Sequence, residues 1–285
     1  MSQTSGTVPK PLGQSAARGR RQVSRKARKK DRDLLAVIGW RVLLVAIFCA
    51  LWQLAPDGVV PESAVGRPSS VASSFWSLLK SGALPTALGS TLLSVVYAMI
   101  IGAVLGIALG IFSSMPVGRW LLGPAISLLY AIPKVGLIAV FVILLGVERS
   151  SHVALVVSAV LFVYFYAIRQ GIEEVNEDQL NALRGMGAGR LTVLRKLILP
   201  SAVPQLLGAT RIALPLALTS EIFAELREPS IAGLGTLLAD SSQSLNGAAA
   251  SAVLIVTVLI AYGLDIVLNS RVKGFTELTG TGLQV

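Results

Sequence analysis

Apolar residues fill six stretches of the chain, at about 34 to 54, 87 to 112, 121 to 146, 153 to 170, 202 to 225 and 247 to 269. Each is near the roughly 20 residues that a helix needs to cross the hydrocarbon core of a bilayer. They predict an all-α polytopic membrane protein with six transmembrane helices. From Ser69 to Ser81, Val71, Phe75, Leu78 and Leu79 recur with the spacing of one helical face, which predicts a short helix lying on a membrane surface. In the second stretch Ala98, Gly102, Gly106 and Gly110 fall at every fourth position. Such a ridge lets another helix approach closely where apolar burial gives little drive to association, so a packing seam is expected there. The third stretch is longer than one crossing requires, and Pro124 and Pro133 predict a kink or an interfacial first turn.

Composition agrees: 53% of residues are hydrophobic and 14% charged, where soluble proteins carry roughly a quarter charged residues. The net charge of +10 is uneven, because ten of the 25 Lys and Arg lie in residues 1 to 32, against the single acid Asp31. Residues 1–33 are therefore expected to be a disordered basic cytoplasmic tail, and residues 34–285 the transmembrane domain. With no aromatic residue in it, the tail reads as a topology signal, and no nucleic acid is expected as a partner. Eight further cations, Arg119, Arg169, Arg184, Arg190, Arg195, Lys196, Arg271 and Lys273, share the side of the tail, and Arg67, Lys80, Arg149 and Arg227 fall on the other. The positive-inside bias then puts both termini of this cell-membrane protein in the cytoplasm, with the loops near 55 to 86, 147 to 152 and 226 to 246 outside. A secretory signal peptide is not expected, for lack of a small-residue cleavage site. Cys49 stands alone, so no disulfide or thiolate metal site is expected.

The connection from about 171 to 200 is patterned unlike a passive loop. Glu173, Glu174, Glu177 and Asp178 precede Arg184, Arg190, Arg195 and Lys196. Asn176 followed by Gln179 resembles a capping box, and the acids suit a helix N-terminus, so a short helix is expected to begin there. It should stop within Gly185-Met186-Gly187-Ala188-Gly189. A second helix presents Leu191, Leu194 and Ile198 on one face and is expected to end before Ser201. Two short helices joined by a glycine turn between spans form a docking element.

Bacterial ABC importer permeases carry a cytoplasmic signature of the form E-A-A, three residues, G, nine residues, I, one residue, L-P. This chain reads Asn181-Ala182-Leu183, then Gly187, then Leu197-Ile198-Leu199-Pro200, with the intervals kept. Asn181 and Leu183 depart from the signature's glutamate and second alanine, and Glu177 or Asp178 lies near enough to replace the acid. With Ile132-Pro133-Lys134, the Arg169 to Asn176 stretch, Leu199 to Pro204, and Glu221 to Leu238 with its Gly233-Leu234-Gly235, residues 60 to 275 resemble permeases of the nitrate, sulfonate and taurine importer group. The resemblance implies a coupling loop at Asn181, Ala182, Leu183, Gly187, Leu197, Leu199 and Pro200 that seats on ABC ATPase subunits. It also implies a second permease chain, giving a homodimer, an extracytoplasmic solute-binding protein, and a small solute as cargo: a sulfonate, nitrate or other organic anion.

No G-x-x-x-x-G-K-[ST] occurs, so ATP is expected to be used by the partner, with no cofactor, metal or catalytic residue in this chain and no enzymatic activity of its own. His152, the one histidine, is expected as a solvated residue of an outward loop. Arg41 lies near the inner end of the first span and is expected to snorkel or to mark a later start of that helix. Arg211 and Asp265 are open to pairing across helices or to separate snorkelling. Glu221 and Glu225, one turn apart, either line an outward vestibule or cap their helix. Lys134, Thr219 and Glu221 are the candidates for the translocation path, since prolines and clustered polar groups suit helices beside a cavity, and a cation there favours anions. The alternative, an ion-coupled secondary transporter, would want an ionisable group at midplane and leaves the 171–200 element without a role.

Overall fold

The computed structural model describes residues 37, 39–54, 56 and 61–279, with only the backbone of residue 127 and of residues 271–279. The basic tail lies outside them. The chain divides into two compact units, Met1–Val59 and Val60–Val285. Within the first, helix α1 (Gly39–Leu54) is apolar but shorter than the four long apolar helices of the second unit, and Arg41 lies on it, exposed.

The second unit is helical throughout its described length, apart from turns. In order come α2 (Pro68–Lys80), α3 (Ala83–Ser113), α4 (Pro116–Ala131), a 3-10 turn (Lys134–Gly136), α5 (Leu137–Leu145), α6 (Arg149–Glu173) and α7 (Glu177–Gly185). Then follow α8 (Arg190–Val193), a π turn (Leu194–Ile198), α9 (Leu199–Arg227), α10 (Leu234–Gln243) and α11 (Gly247–Thr279). Among the described residues, four helices are long and apolar enough to cross a membrane: Ala83–Ser113, Arg149–Glu173, the continuous Arg190–Arg227, and Gly247–Ser270. The bent pair Pro116–Ala131 with Lys134–Leu145 supplies a fifth if it counts as one span.

The expected third span is thus no single helix: its halves meet at 79°. Pro133 is the cause. It disfavours the α region for the residue before it, and Ile132 is extended at ψ 130°, whereas Pro124 is accommodated inside α4. The surface helix expected around Ser69 to Ser81 is α2, with Val71 turned inward. The region 226 to 246, read as a loop, contains the unforeseen α10.

The core is built on α3, α6 and α9, where Val95, Ala98, Val156, Val160 and Ala213 form one buried cluster. The small-residue ridge makes it possible. Ala98, Gly102, Gly106 and Gly110 are all buried, and they face α6 so closely that a β-carbon on Gly106 would lie 2.4 Å from the Leu161 carbonyl oxygen. Leu84, Leu234 and Val253 join α3, α10 and α11, while Ile126, Phe162 and Phe165 seat α4 on α6.

Candidate functional site

At the end of the unit that carries α7, the chain leaves α6, makes a short excursion and returns into α9. The excursion begins on a cap: the Asn176 Oδ1 accepts from the backbone N–H of Asp178 at 2.8 Å and of Gln179 at 3.3 Å, and Glu177 and Asp178 occupy the first turn of α7. That arrangement satisfies N–H groups which a helix start leaves orphaned and suits the helix dipole. The helix ends where the glycines fall. Gly187 has φ +78°; its N–H donates to the Arg184 carbonyl at 2.9 Å and that of Ala188 to the Leu183 carbonyl at 3.0 Å. The pair forms a Schellman motif, whose left-handed residue favours glycine. Asn181, Ala182 and Gly187 are exposed and Leu183 half-buried, so the turn is presented outward.

The second short helix differs from expectation. It does not stop before Ser201 but runs through α8 and the π turn into α9. Pro200 cannot donate a backbone hydrogen bond, and the wide turn just before it absorbs the break in the i to i−4 ladder without ending the helix. The inward face also shifts: Val193 and Leu197 are buried, whereas Leu191 is 60% exposed and Leu194 and Ile198 are half-buried. Leu199 is half-buried and Pro200 exposed.

The excursion is anchored at both ends on one crossing. Gly171 of α6 lies where a β-carbon would come 2.5 Å from that of Ala202 on α9. Three residues on from Gly171, the Glu174 carboxylate accepts from Gln205 Nε2 of α9 and from Gln170 Nε2. A push on α7 therefore reaches α6 and α9 together.

At the opposite ends of α6 and α9 lies a buried polar cluster. Glu225, 1% exposed, accepts from the Thr91 hydroxyl of α3 at 2.7 Å through one carboxyl oxygen. Its other oxygen accepts from the Gly235 N–H at 2.8 Å, and Thr91 Oγ1 accepts from the Leu234 N–H at 3.0 Å. The carboxylate thus seats the N-terminus of α10, whose free N–H groups and dipole favour an anion. A β-carbon on Gly233 would strike the Glu225 carboxyl carbon at 2.2 Å, which is why glycine stands there. One turn back along α9, Glu221 is also 1% exposed and faces His152 Nδ1 at 3.8 Å. Among the described residues neither histidine nitrogen, nor Glu221 Oε2, has a hydrogen-bond partner.

These placements bear on two expectations. His152 is not a solvated loop residue, because α6 starts at Arg149, before the apolar run, and turns it inward to complete burial. Glu221, expected beside the path or as a helix cap, is 1% exposed and packed against His152 of α6. Thr91 gave no signal in the sequence, being one polar residue in an apolar run whose partner lies 134 positions away. Arg149 donates to the Ser90 carbonyl and hydroxyl, both at 3.1 Å. Among the described residues Arg211 and Asp265 form no ion pair, and Asp265 accepts from Asn269 Nδ2 at 2.9 Å.

The remaining path candidates lie elsewhere. Lys134, at the bend after α4, donates from Nζ to the Tyr130 carbonyl at 3.0 Å and stands over the rings of Tyr130 and Phe162 at 4.6 and 5.0 Å. It is a cation at a helix C-terminus, held by two aromatic faces. Thr219 is exposed on α9, and its hydroxyl donates to the Pro215 carbonyl at 2.8 Å. Among the described residues no group of three His, Cys, Asp or Glu could hold a metal ion.

Residues 102–274 match the family described as "Binding-protein-dependent transport system inner membrane component". The taurine transport system permease protein TauC of Escherichia coli (strain K12) is 25% identical over 250 residues, 87% of each chain. SsuC of the same strain, named for transport of aliphatic sulfonates, is 29% identical over 216 residues, 74% of this chain and 80% of its own. In fold, the chain resembles the MetNI methionine ABC transporter in inward-facing conformations, with a TM-score of 0.59 at 19% identity over 67% of this chain and 95% of that one.

Proposed function

The chain belongs to the family of binding-protein-dependent transport system inner membrane components, and from that membership we propose its assembly, orientation and cargo. It is the multi-pass membrane permease of an ABC importer and not an enzyme; ATP hydrolysis belongs to a separate subunit. Two copies pair in the cell membrane, receive solute from the binding protein outside and rest on two ATPases inside, and the chain itself binds no cofactor. Six spans cross the lipid, namely α1, α3, the bent α4–α5 pair, α6, α9 and α11. Both termini and the basic tail are cytoplasmic, following the charge split.

The observation that carries the coupling role is the capped, exposed α7 with its left-handed Gly187, mounted where α6 and α9 cross. Asn181, Ala182, Leu183 and Gly187 form the part that meets the ATPase, and Leu197, Leu199 and Pro200 carry its movement into α9. The ion-coupled alternative gives this element no role. The buried acids, moreover, lie within two turns of the end of α9, not at mid-span. Small organic sulfonates are the cargo, as the names of the relatives suggest, with Lys134 and the exposed Thr219 on the path.

Gly187→Val tests the coupling assignment. No atom lies within 4 Å of a β-carbon there, so its effect is confined to the backbone, where a β-branched residue is strained by about 1–2 kcal/mol in the left-handed region. The variant is expected to insert and accumulate normally while the co-purified ATPase and sulfonate uptake fall. Full uptake with a normal complement of ATPase would refute the assignment.

A further inference from the structure

Between the end of α3, the start of α4 and the last turns of α6 lies a cavity of 110 Å³, lined in part by Ser113, Arg119, Gly123, Phe165, Tyr166 and Arg169. We propose that it binds a tetrahedral oxyanion, the phosphate of a lipid headgroup or the anionic group of a small solute.

Size and charge agree. A water occupies about 30 Å³ in the liquid, so the space holds about four waters or one such anion. Two guanidinium groups line it and no carboxylate does. Arg169 Nη2 donates to Glu173 Oε1 at 3.0 Å, but that carboxylate is 67% exposed and outside the lining. The guanidinium has five N–H donors, most of them still available. The Arg119 backbone N–H donates to the Met115 carbonyl at 2.8 Å, but its guanidinium has no hydrogen bond or ion pair among the described residues. Basic pockets between spans on the cytoplasmic side suit anionic headgroups. Phe165 makes one wall apolar, which strengthens the attraction by lowering the local dielectric. Trp120, next to Arg119, is 82% exposed, and an exposed tryptophan marks the depth of the headgroups. The site rests on the membrane placement of the chain but not on the coupling role, so the ATPase experiment above can fail without touching it.

The full chain, purified in a neutral maltoside detergent, is titrated with dioleoyl-phosphatidylglycerol, dioleoyl-phosphatidylcholine, inorganic phosphate and methanesulfonate. Bound lipid is counted by native mass spectrometry and the free anions are followed by calorimetry. Phosphatidylglycerol or a free anion is expected to bind, and Arg119→Gln and Arg169→Gln each to weaken binding about fivefold. Arg227→Gln, at the far end of α9, should have no effect. A β-carbon on Gly123 would meet nothing within 4 Å, so Gly123→Leu fills the cavity while both charges stay; it should abolish binding and keeps the test decisive if the arginine variants fold poorly. Displacement of phosphatidylglycerol by millimolar methanesulfonate or phosphate assigns the site to solutes, and persistence of the lipid assigns it to headgroups. Affinities that ignore Gly123→Leu, and respond to Arg119→Gln and Arg169→Gln no more than to Arg227→Gln, would overturn the proposal.

Discussion

Replacing Gly106 by alanine adds one methyl group where the backbone of α6 comes closest to the α3 ridge. That carbon would lie 2.4 Å from the Leu161 carbonyl oxygen, 2.9 Å from Tyr164 Cβ and 3.1 Å from the Phe165 nitrogen. Ordinary contact begins near 3.4 Å, so the helices must part by about 1 Å locally, and the obstacle is backbone that no rotamer change can move. Overpacking of this kind costs about 1–3 kcal/mol, and the upper end applies here. Gly102→Ala should cost less, since its nearest neighbour, at 2.3 Å, is the Cγ2 methyl of Val160, a side-chain atom that χ1 rotation can displace. Gly89 on the same helix supplies the control. Nothing lies within 4 Å of its β-carbon, so Gly89→Ala should be neutral or stabilising by about 0.5–1 kcal/mol through helix propensity. Thermal unfolding of the purified proteins in one detergent ranks the three, with Gly106→Ala least stable, Gly102→Ala between and Gly89→Ala at or above the parent. A Gly106→Ala protein as stable as Gly89→Ala would refute the close seam.

Glu225→Ala leaves the Thr91 hydroxyl and the Gly235 N–H without their acceptor in a buried site, at about 1–3 kcal/mol each. Glu225→Gln keeps an acceptor and should lose clearly less in the same unfolding assay; equal losses would mean that the carboxylate does not seat α10. Lys134→Ala is expected to slow uptake of an anionic sulfonate without lowering protein level, and unchanged uptake removes the lysine from the path. In a cysteine-free background, Thr219→Cys should react with small aqueous reagents in a nucleotide-dependent way while the buried Glu221→Cys stays silent, and the reverse pattern would exchange their roles. In intact cells, external labelling should reach Ser242→Cys and miss Gly187→Cys; access at Gly187 inverts the orientation.

What the sequence discloses is mostly local. The Asn176 cap and the Gly187 stop could be placed because a cap needs one side chain and a few neighbouring N–H groups, all within a handful of residues. The glycine ridge could be read because its four-residue period is itself the geometry of one helix face, although the identity of the partner, α6, could not. Pro133 announced a break without its 79° angle, which depends on how α4 and α5 each pack. The polar cluster was the least legible part. Thr91, His152, Glu221 and Glu225 come from three helices, and nothing in the order of residues tells which polar groups will be folded together. His152 was misplaced because the apolar run starts after it, while the helix starts before it.

The crossing of Gly171 and Ala202 has a mechanical consequence. The two backbones all but touch there, so the helices cannot part at this end without losing the contact, and Val156, Val160 and Ala213 hold them together farther along. The contact sits near one end of both helices: α6 runs only two residues past Gly171 and α9 starts three residues before Ala202, against more than 20 residues on the other side, so a displacement of α7 enters both helices at their short ends. Under the proposed coupling role, the Glu174–Gln205 hydrogen bond and the π turn beside the contact are the places where a change would alter how firmly α7 is tied to the two helices.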